Sequence, residues 1–129
     1  MRATLVLLAA GLSTPAIALD LNSFRAQHGR PALAYSPPLA MIAQQHASDM
    51  AGRKKIDHAG FRERTRLSGT TSAENVSYGC ADEDCAIRQW ARSGGHRRNM
   101  LRTDVSAYGM GSAVGANGRR YWALALGGQ

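Results

Sequence analysis

The hydrophobic period of this chain changes once, from helical spacing at the front to strict alternation near the end, and that change narrows the fold more than any other feature. Leu39, Ile42, Ala43, His46, Ala47, Met50 and Ala51 recur at three- and four-residue intervals. They follow Ser36-Pro37-Pro38, a serine N-cap with proline at the first helical position. The pattern predicts the longest helix, running to about Arg53, where Gly52 and the basic Arg53-Lys54-Lys55 fit a helix end. Tyr108, Met110, Ser112 and Val114 alternate, as do Arg120, Trp122, Leu124 and Leu126, and Asn117-Gly118 between them has the chemistry of a two-residue hairpin turn. Shorter helices are predicted over 19–28, closed by Gly29 and Pro31, over 61–67, and over 83–92, where Asp82, Glu83 and Asp84 place negative charge at a helix start. Residues 68–72 read as a loop, Ser93-Gly94-Gly95 as a break, and 96–101 as one short turn. Helices in front and strands behind, with no repeat or low-complexity tract, specify an α+β domain.

The first eighteen residues carry a different signal. Met1-Arg2, the apolar stretch Ala3 to Leu12 and the small-residue pattern Ala16-Ile17-Ala18 read as a signal peptide cut after Ala18, leaving 19–129 as one domain. The apolar stretch is short of the roughly 18 to 20 residues a membrane-spanning helix needs, and no later segment approaches that length. The expectation is an exported protein, periplasmic or extracellular. Cys80 and Cys85 agree with this, since an even pair in an oxidising compartment reads by default as a disulfide. Within one helix, five residues at about 1.5 Å each would hold them roughly 7.5 Å apart, too far to bridge, so a turn must lie between them. Sixteen Lys and Arg against nine Asp and Glu give a formal charge of +7, or +6 once Arg2 leaves with the leader. The arginines are scattered, which reads as a solvated basic surface able to meet anionic envelope polymers; nucleic acid is not the expected partner of an exported chain.

Three residues have the company a chemical site needs. His58 follows the major helix in Ile56-Asp57-His58-Ala59-Gly60, His96 sits in Gly94-Gly95-His96-Arg97-Arg98-Asn99, and Glu74 lies between them in Ala73-Glu74-Asn75-Val76. Two imidazoles and a carboxylate can bind zinc with a position left for water, or act as acid and base. Separations of 16 and 22 residues do not by themselves choose between these and ordinary structural roles. His46, on the apolar face of the main helix, reads as a hydrogen-bonded core histidine, and His28 as exposed. Trp90 and Trp122 read as core anchors, Asn75 as a residue bonding backbone groups, and Gly94-Gly95 as letting the chain approach a cavity closely.

At this point the sequence resembles a known family. Leu39 to Ala51 followed by Asp57-His58-Ala59-Gly60 resembles the opening of a bacterial CAP domain, the fold of cysteine-rich secretory proteins, antigen 5 and plant pathogenesis-related proteins of class 1. Ala73-Glu74-Asn75-Val76, the segment Trp90 to Leu101, Gly109-Met110-Gly111 and Tyr121-Trp122 follow in the family's order. The resemblance implies an α-β-α sandwich with an antiparallel sheet between helical layers, export, and a central cavity lined by two histidines and two acids that in some members holds zinc or another divalent metal. By position, His58 and His96 match the histidines as metal ligands, Glu74 matches the first acid, and Glu74 and Asn75 are expected to line the cavity. Where relatives carry the second acid, this chain has Ala91-Arg92-Ser93. The implied function is a binding module for a small ligand, lipid or protein. The alternatives are a metal-dependent, peptidase-like hydrolase with Glu74 as the catalytic base, and a basic envelope-surface binder whose site is vestigial.

Overall fold

The computed structural model describes Gly11, residues 17–67 and residues 71–128. Apart from Gly11, Ile17 and Ala18, the expected leader over 1–18 lies outside the described residues. Among the described residues, five helices and four strands follow in the order α1 (Leu21–Gln27), β1 (Ala34–Tyr35), α2 (Pro37–Arg53), α3 (Phe61–Leu67), β2 (Thr71–Tyr78), α4 (Glu83–Ala91), α5 (Gly94–Met100), β3 (Ala107–Val114) and β4 (Arg120–Gly128). The sheet order is β1-β3-β4-β2. β2, β4 and β3 are antiparallel neighbours, as the resemblance implied, while β1 adds a two-residue parallel pairing to β3, so the sheet is mixed.

Alternation along β4 builds the layers. Trp122, Leu124 and Leu126 face one way, into a core with Leu21, Phe24, Ile87, Trp90 and Met100 from α1, α4 and α5. Tyr121, Ala123 and Ala125 face the other way, against Leu39, Ala43, Ala47 and Met50 of α2. The result is the helix-sheet-helix sandwich. Both tryptophans are buried anchors whose indole N–H groups donate to backbone carbonyls, Trp90 to Val76 and Trp122 to Cys80.

The helix α2 approaches the sheet unusually closely because the facing residues are small. A Cβ added to Gly109 would come 2.0 Å from the backbone nitrogen of Ala40. The close approach therefore lies on β3, not at Gly94-Gly95, where an added Cβ would meet nothing nearer than an arginine side chain at 3.4 Å. Beside the helix, the Gln44 side-chain amide exchanges two hydrogen bonds with the Ser112 backbone, Nε2 to the carbonyl and amide nitrogen to Oε1, occupying β3 where β1 no longer reaches.

The bounds of α2 are the predicted ones: Ser36 caps Leu39 at the start, and the helix runs to Arg53, with Lys54 as its C-cap at a left-handed φ of 55°. Several local expectations are corrected. Residues 94–100 form helix α5 and include both glycines. The hairpin closes through residues 115–119, because Val114 pairs with Arg120, and not through a two-residue turn. Thr71 and Ser72 belong to β2, a strand the alternation rule does not find. Cys80 and Cys85 form the expected disulfide, with Asp82 capping α4 in the turn between them and a Cα–Cα distance of 5.4 Å.

Candidate functional site

The turn after α2 delivers His58. Arg53, in the last turn of α2, donates to both carboxylate oxygens of Asp57 at 2.7 and 3.0 Å, and Asp57 Oδ1 accepts the amide of Ala59. The guanidinium hydrogen bonds hold the Asp57 carboxyl well below the usual carboxylate range. From the helix above, buried His46 donates Nε2–H to the Asp57 carbonyl at 2.8 Å, since a carbonyl can only accept. His58 is thus carried on a turn pinned by a side chain before it and a side chain above it.

Glu74 is the centre of the cluster. It lies on β2, 7 % exposed, and its Oε2 accepts from His58 Nδ1 at 2.7 Å. Arg64 of α3 grips the same carboxylate as a fork, Nε to Oε1 at 2.7 Å and Nη2 to Oε2 at 2.9 Å. His46 Nε2 stands 3.7 Å from Oε2. Because the carboxylate can only accept, His58 Nδ1 carries a proton toward it, and Nε2 is turned away from Glu74. His58 and Glu74 line an open cleft of about 370 Å³ with Phe61, Ser72, Ala73, Asn99 and Arg102.

Asn75, the next residue along the strand, points to the opposite face of the sheet. It is fully buried and ties β2 to α5: its Nδ2 donates to the His96 carbonyl at 2.9 Å, and its Oδ1 accepts from Asn99 at 3.0 Å. It bonds a backbone group as predicted, and it stands behind the cleft as a positioning residue. His96 is half-buried, and its imidazole is held below the usual histidine range first by burial and then by repulsion from His58. His58 is delivered by the turn after α2 and His96 by α5, and His96 is not among the residues that line the cleft with His58 and Glu74. Among the described residues no group of three or more His, Cys, Asp or Glu is gathered as a metal cage. No acid fills the second position, which holds Ala91-Arg92-Ser93.

Sequence reasoning brought His58, Glu74 and His96 together and missed Arg64 and Asn99. Neither carries a distinctive spacing, although Asn99 falls in the quoted segment ending at Leu101. Arg64 shares α3 with Arg62 and Arg66, and nothing in its neighbours marks it as the one turned inward.

A family model described as the cysteine-rich secretory protein family, CAP, matches residues 20–126. The chain belongs to that family. Its CAP domain is 29% identical over 102 residues to YlbC of Bacillus subtilis (strain 168), described as an uncharacterized membrane protein, and the match takes in 72% of this chain but 30% of YlbC. The chain thus spans about a third of that relative's length. Among solved structures, the CAP domain superposes on an outer surface protein from Borrelia burgdorferi with a TM-score of 0.75 at 16% identity, covering 84% of this chain and 86% of the other. An extracellular protein containing an SCP domain from Bacillus anthracis gives a TM-score of 0.72 at 23% identity, over 84% of this chain and 38% of that one. These likenesses establish the fold. No helix among the described residues is long and apolar enough to cross a membrane.

Proposed function

We propose that this CAP domain is exported, to the periplasm or the extracellular space, and acts as a binding module whose cleft holds a divalent metal such as zinc through His58 and His96. The names of the extracellular and outer-surface relatives and the Cys80–Cys85 disulfide support export. The observation that carries the metal reading is the Glu74 to His58 hydrogen bond, which fixes the imidazole proton on Nδ1 and leaves Nε2 as a ligand atom. His96, kept neutral by burial and by its twin, supplies the second imidazole. Two imidazoles suit zinc or another borderline ion, which would present a bound water or a ligand oxygen to the cleft as a Lewis acid.

The same geometry favours binding over hydrolysis. A catalytic base toward a metal-bound water needs an oxygen free to take a proton, and both oxygens of Glu74 already accept from Arg64 or His58. With the second acid absent, Glu74 is a positioning residue for His58. Calorimetry on metal-stripped protein tests the reading. About one zinc per chain is expected in the wild type and none in the His58→Ala/His96→Ala double variant; no binding by either would overturn it. Peptide turnover that disappears on chelation would favour the hydrolase instead.

A second reading has its own observation. Arg30, Arg97, Arg98 and Arg102 line one groove with Asp104, a surface suited to an anionic envelope polymer. Binding there should weaken steeply between low salt and about 0.5 M, where charges are screened within a few ångströms.

A further inference from the structure

Asp84, in the first turn of α4, accepts a hydrogen bond from the backbone nitrogen of Leu19 at 2.5 Å, a contact between residues 65 apart in sequence. Leu19 is where the described chain first enters the core. Ile17 is 87% exposed and Ala18 is exposed, whereas Leu19 is 8% exposed and packs with Leu21, Ile87 and Trp90. The boundary between solvent and fold thus falls on the Ala18–Leu19 bond, the bond at which the leader is expected to be cut.

We infer that Asp84 is the receptor for a new N-terminus: once the Ala18–Leu19 bond is hydrolysed, the Leu19 α-ammonium pairs with the Asp84 carboxylate and locks the mature fold. The inference rests on the export reading above. Water adds across the peptide C–N bond; the leader leaves with the Ala18 carboxylate, and the Leu19 nitrogen takes up protons to become an ammonium. A single amide donor becomes a cation with three donors at the same atom, a stronger partner for a carboxylate.

The surroundings favour a cation. Asp20 of the α1 cap and Glu83 and Asp84 of α4 bring three carboxylates to this corner, and Arg88 Nε donates to Asp84 Oδ2 at 3.0 Å. Burial and then Asp20 push the Glu83 carboxyl upward, and Tyr108 of β3 is raised by burial and then by Glu83, Asp20 and Tyr35, so the local field is rich in negative charge. Arg88 takes one oxygen of Asp84, and Leu19 takes the other. The Cys80–Cys85 disulfide brackets Asp84, so oxidation and leader removal, both events of export, act on one loop.

The test compares the exported protein carrying a free Leu19 amine with the same chain α-N-acetylated, each as wild type and as Asp84→Asn, with the uncut chain of residues 1–129 alongside. Every described helix and strand lies within 21–128, so the cut chain retains the whole domain. Near pH 6.5 the free amine is expected to raise Tm by about 4 °C over the acetylated and uncut forms, with no such difference in Asp84→Asn. The folded α-amino pKa should lie above the ordinary range of about 7.7 to 8.0, so the gain is complete below that range and is lost as pH rises through the folded value. Equal Tm with and without acetylation, or an equal difference in Asp84→Asn, overturns the pairing. N-terminal sequencing separates the two readings: a first residue other than Leu19 overturns the cut at the Ala18–Leu19 bond, while the acetylation comparison on a chain made to start at Leu19 judges the receptor on its own.

Discussion

A Cβ placed on Gly111 would stand 2.4 Å from both the backbone nitrogen and the Cα of Gln44. The clash is with helix backbone, which cannot swing aside as a long side chain can, so Gly111→Ala must push α2 away from the sheet. We expect a loss of about 3 kcal/mol in urea unfolding. Gly52→Ala is the control: Gly52 is helical with open space around it, and alanine there should add about 0.7 kcal/mol. Similar midpoints for both variants would contradict the close-packing account.

Glu74→Gln keeps the size of the side chain but removes the anion that fixes His58 and receives the Arg64 fork. Zinc affinity by calorimetry should fall roughly 10- to 100-fold, the usual cost of losing such a partner, with stoichiometry unchanged. Unchanged affinity would show that His58 does not depend on Glu74 for its role.

Protonation of His96 opposes folding, because its folded pKa lies below the ordinary value. The unfolded chain then binds more protons than the native one as pH falls through about 6.5, so stability is present above that pH and declines below it. His96→Gln should flatten Tm between about pH 5 and 7 in metal-free protein. A slope identical to wild type would mean another group titrates there.

Arg25 is 1% exposed, and its guanidinium donates to the carbonyls of Pro31, Met100 and Arg102, so it staples α1 to the segment after α5. Burial, and secondarily Arg30, lowers its pKa. Arg25→Met should cost about 3 kcal/mol in chemical denaturation by leaving buried acceptors unmet. A cost under about 1 kcal/mol would mean that water reaches those carbonyls.

The Ser77 hydroxyl is buried without a hydrogen-bond partner among the described residues. Ser77→Ala removes that polar atom and nothing else, and is expected to leave stability unchanged or raise it by up to about 1 kcal/mol. A clear loss in the unfolding midpoint would reveal a partner for the hydroxyl.

The legible parts of the chain were those whose burial is apolar and one-sided. The helix α2 and the strands β3 and β4 announce themselves because Ala43, Ala47 and Met50, or Trp122, Leu124 and Leu126, mark one face at a fixed period. Strand β2 does not, because Glu74, Asn75 and Ser77 put buried polar atoms on both of its faces. The residues that make the site also erase the strand pattern that carries them. Arg25 was illegible for a related reason: its partners are backbone carbonyls 75 and 77 residues away, which no side-chain pattern can signal. His58, Glu74 and His96 could be named as a group, but the fork of Arg64 and the opposite facing of Asn75 emerge only once the sheet is built.

The place of β2 at the sheet's rim sets an order of assembly. Its ladder partner is β4, from Thr71 against Gly128 to Tyr78 against Tyr121, so the strand bearing Glu74 cannot be seated until residues up to 128 are available. In the export proposed above, with the chain emerging in sequence order, the helices would form before the cleft existed. An ion or ligand met along the way would find no competent pocket, and capture would begin only when the last strand closes the sheet.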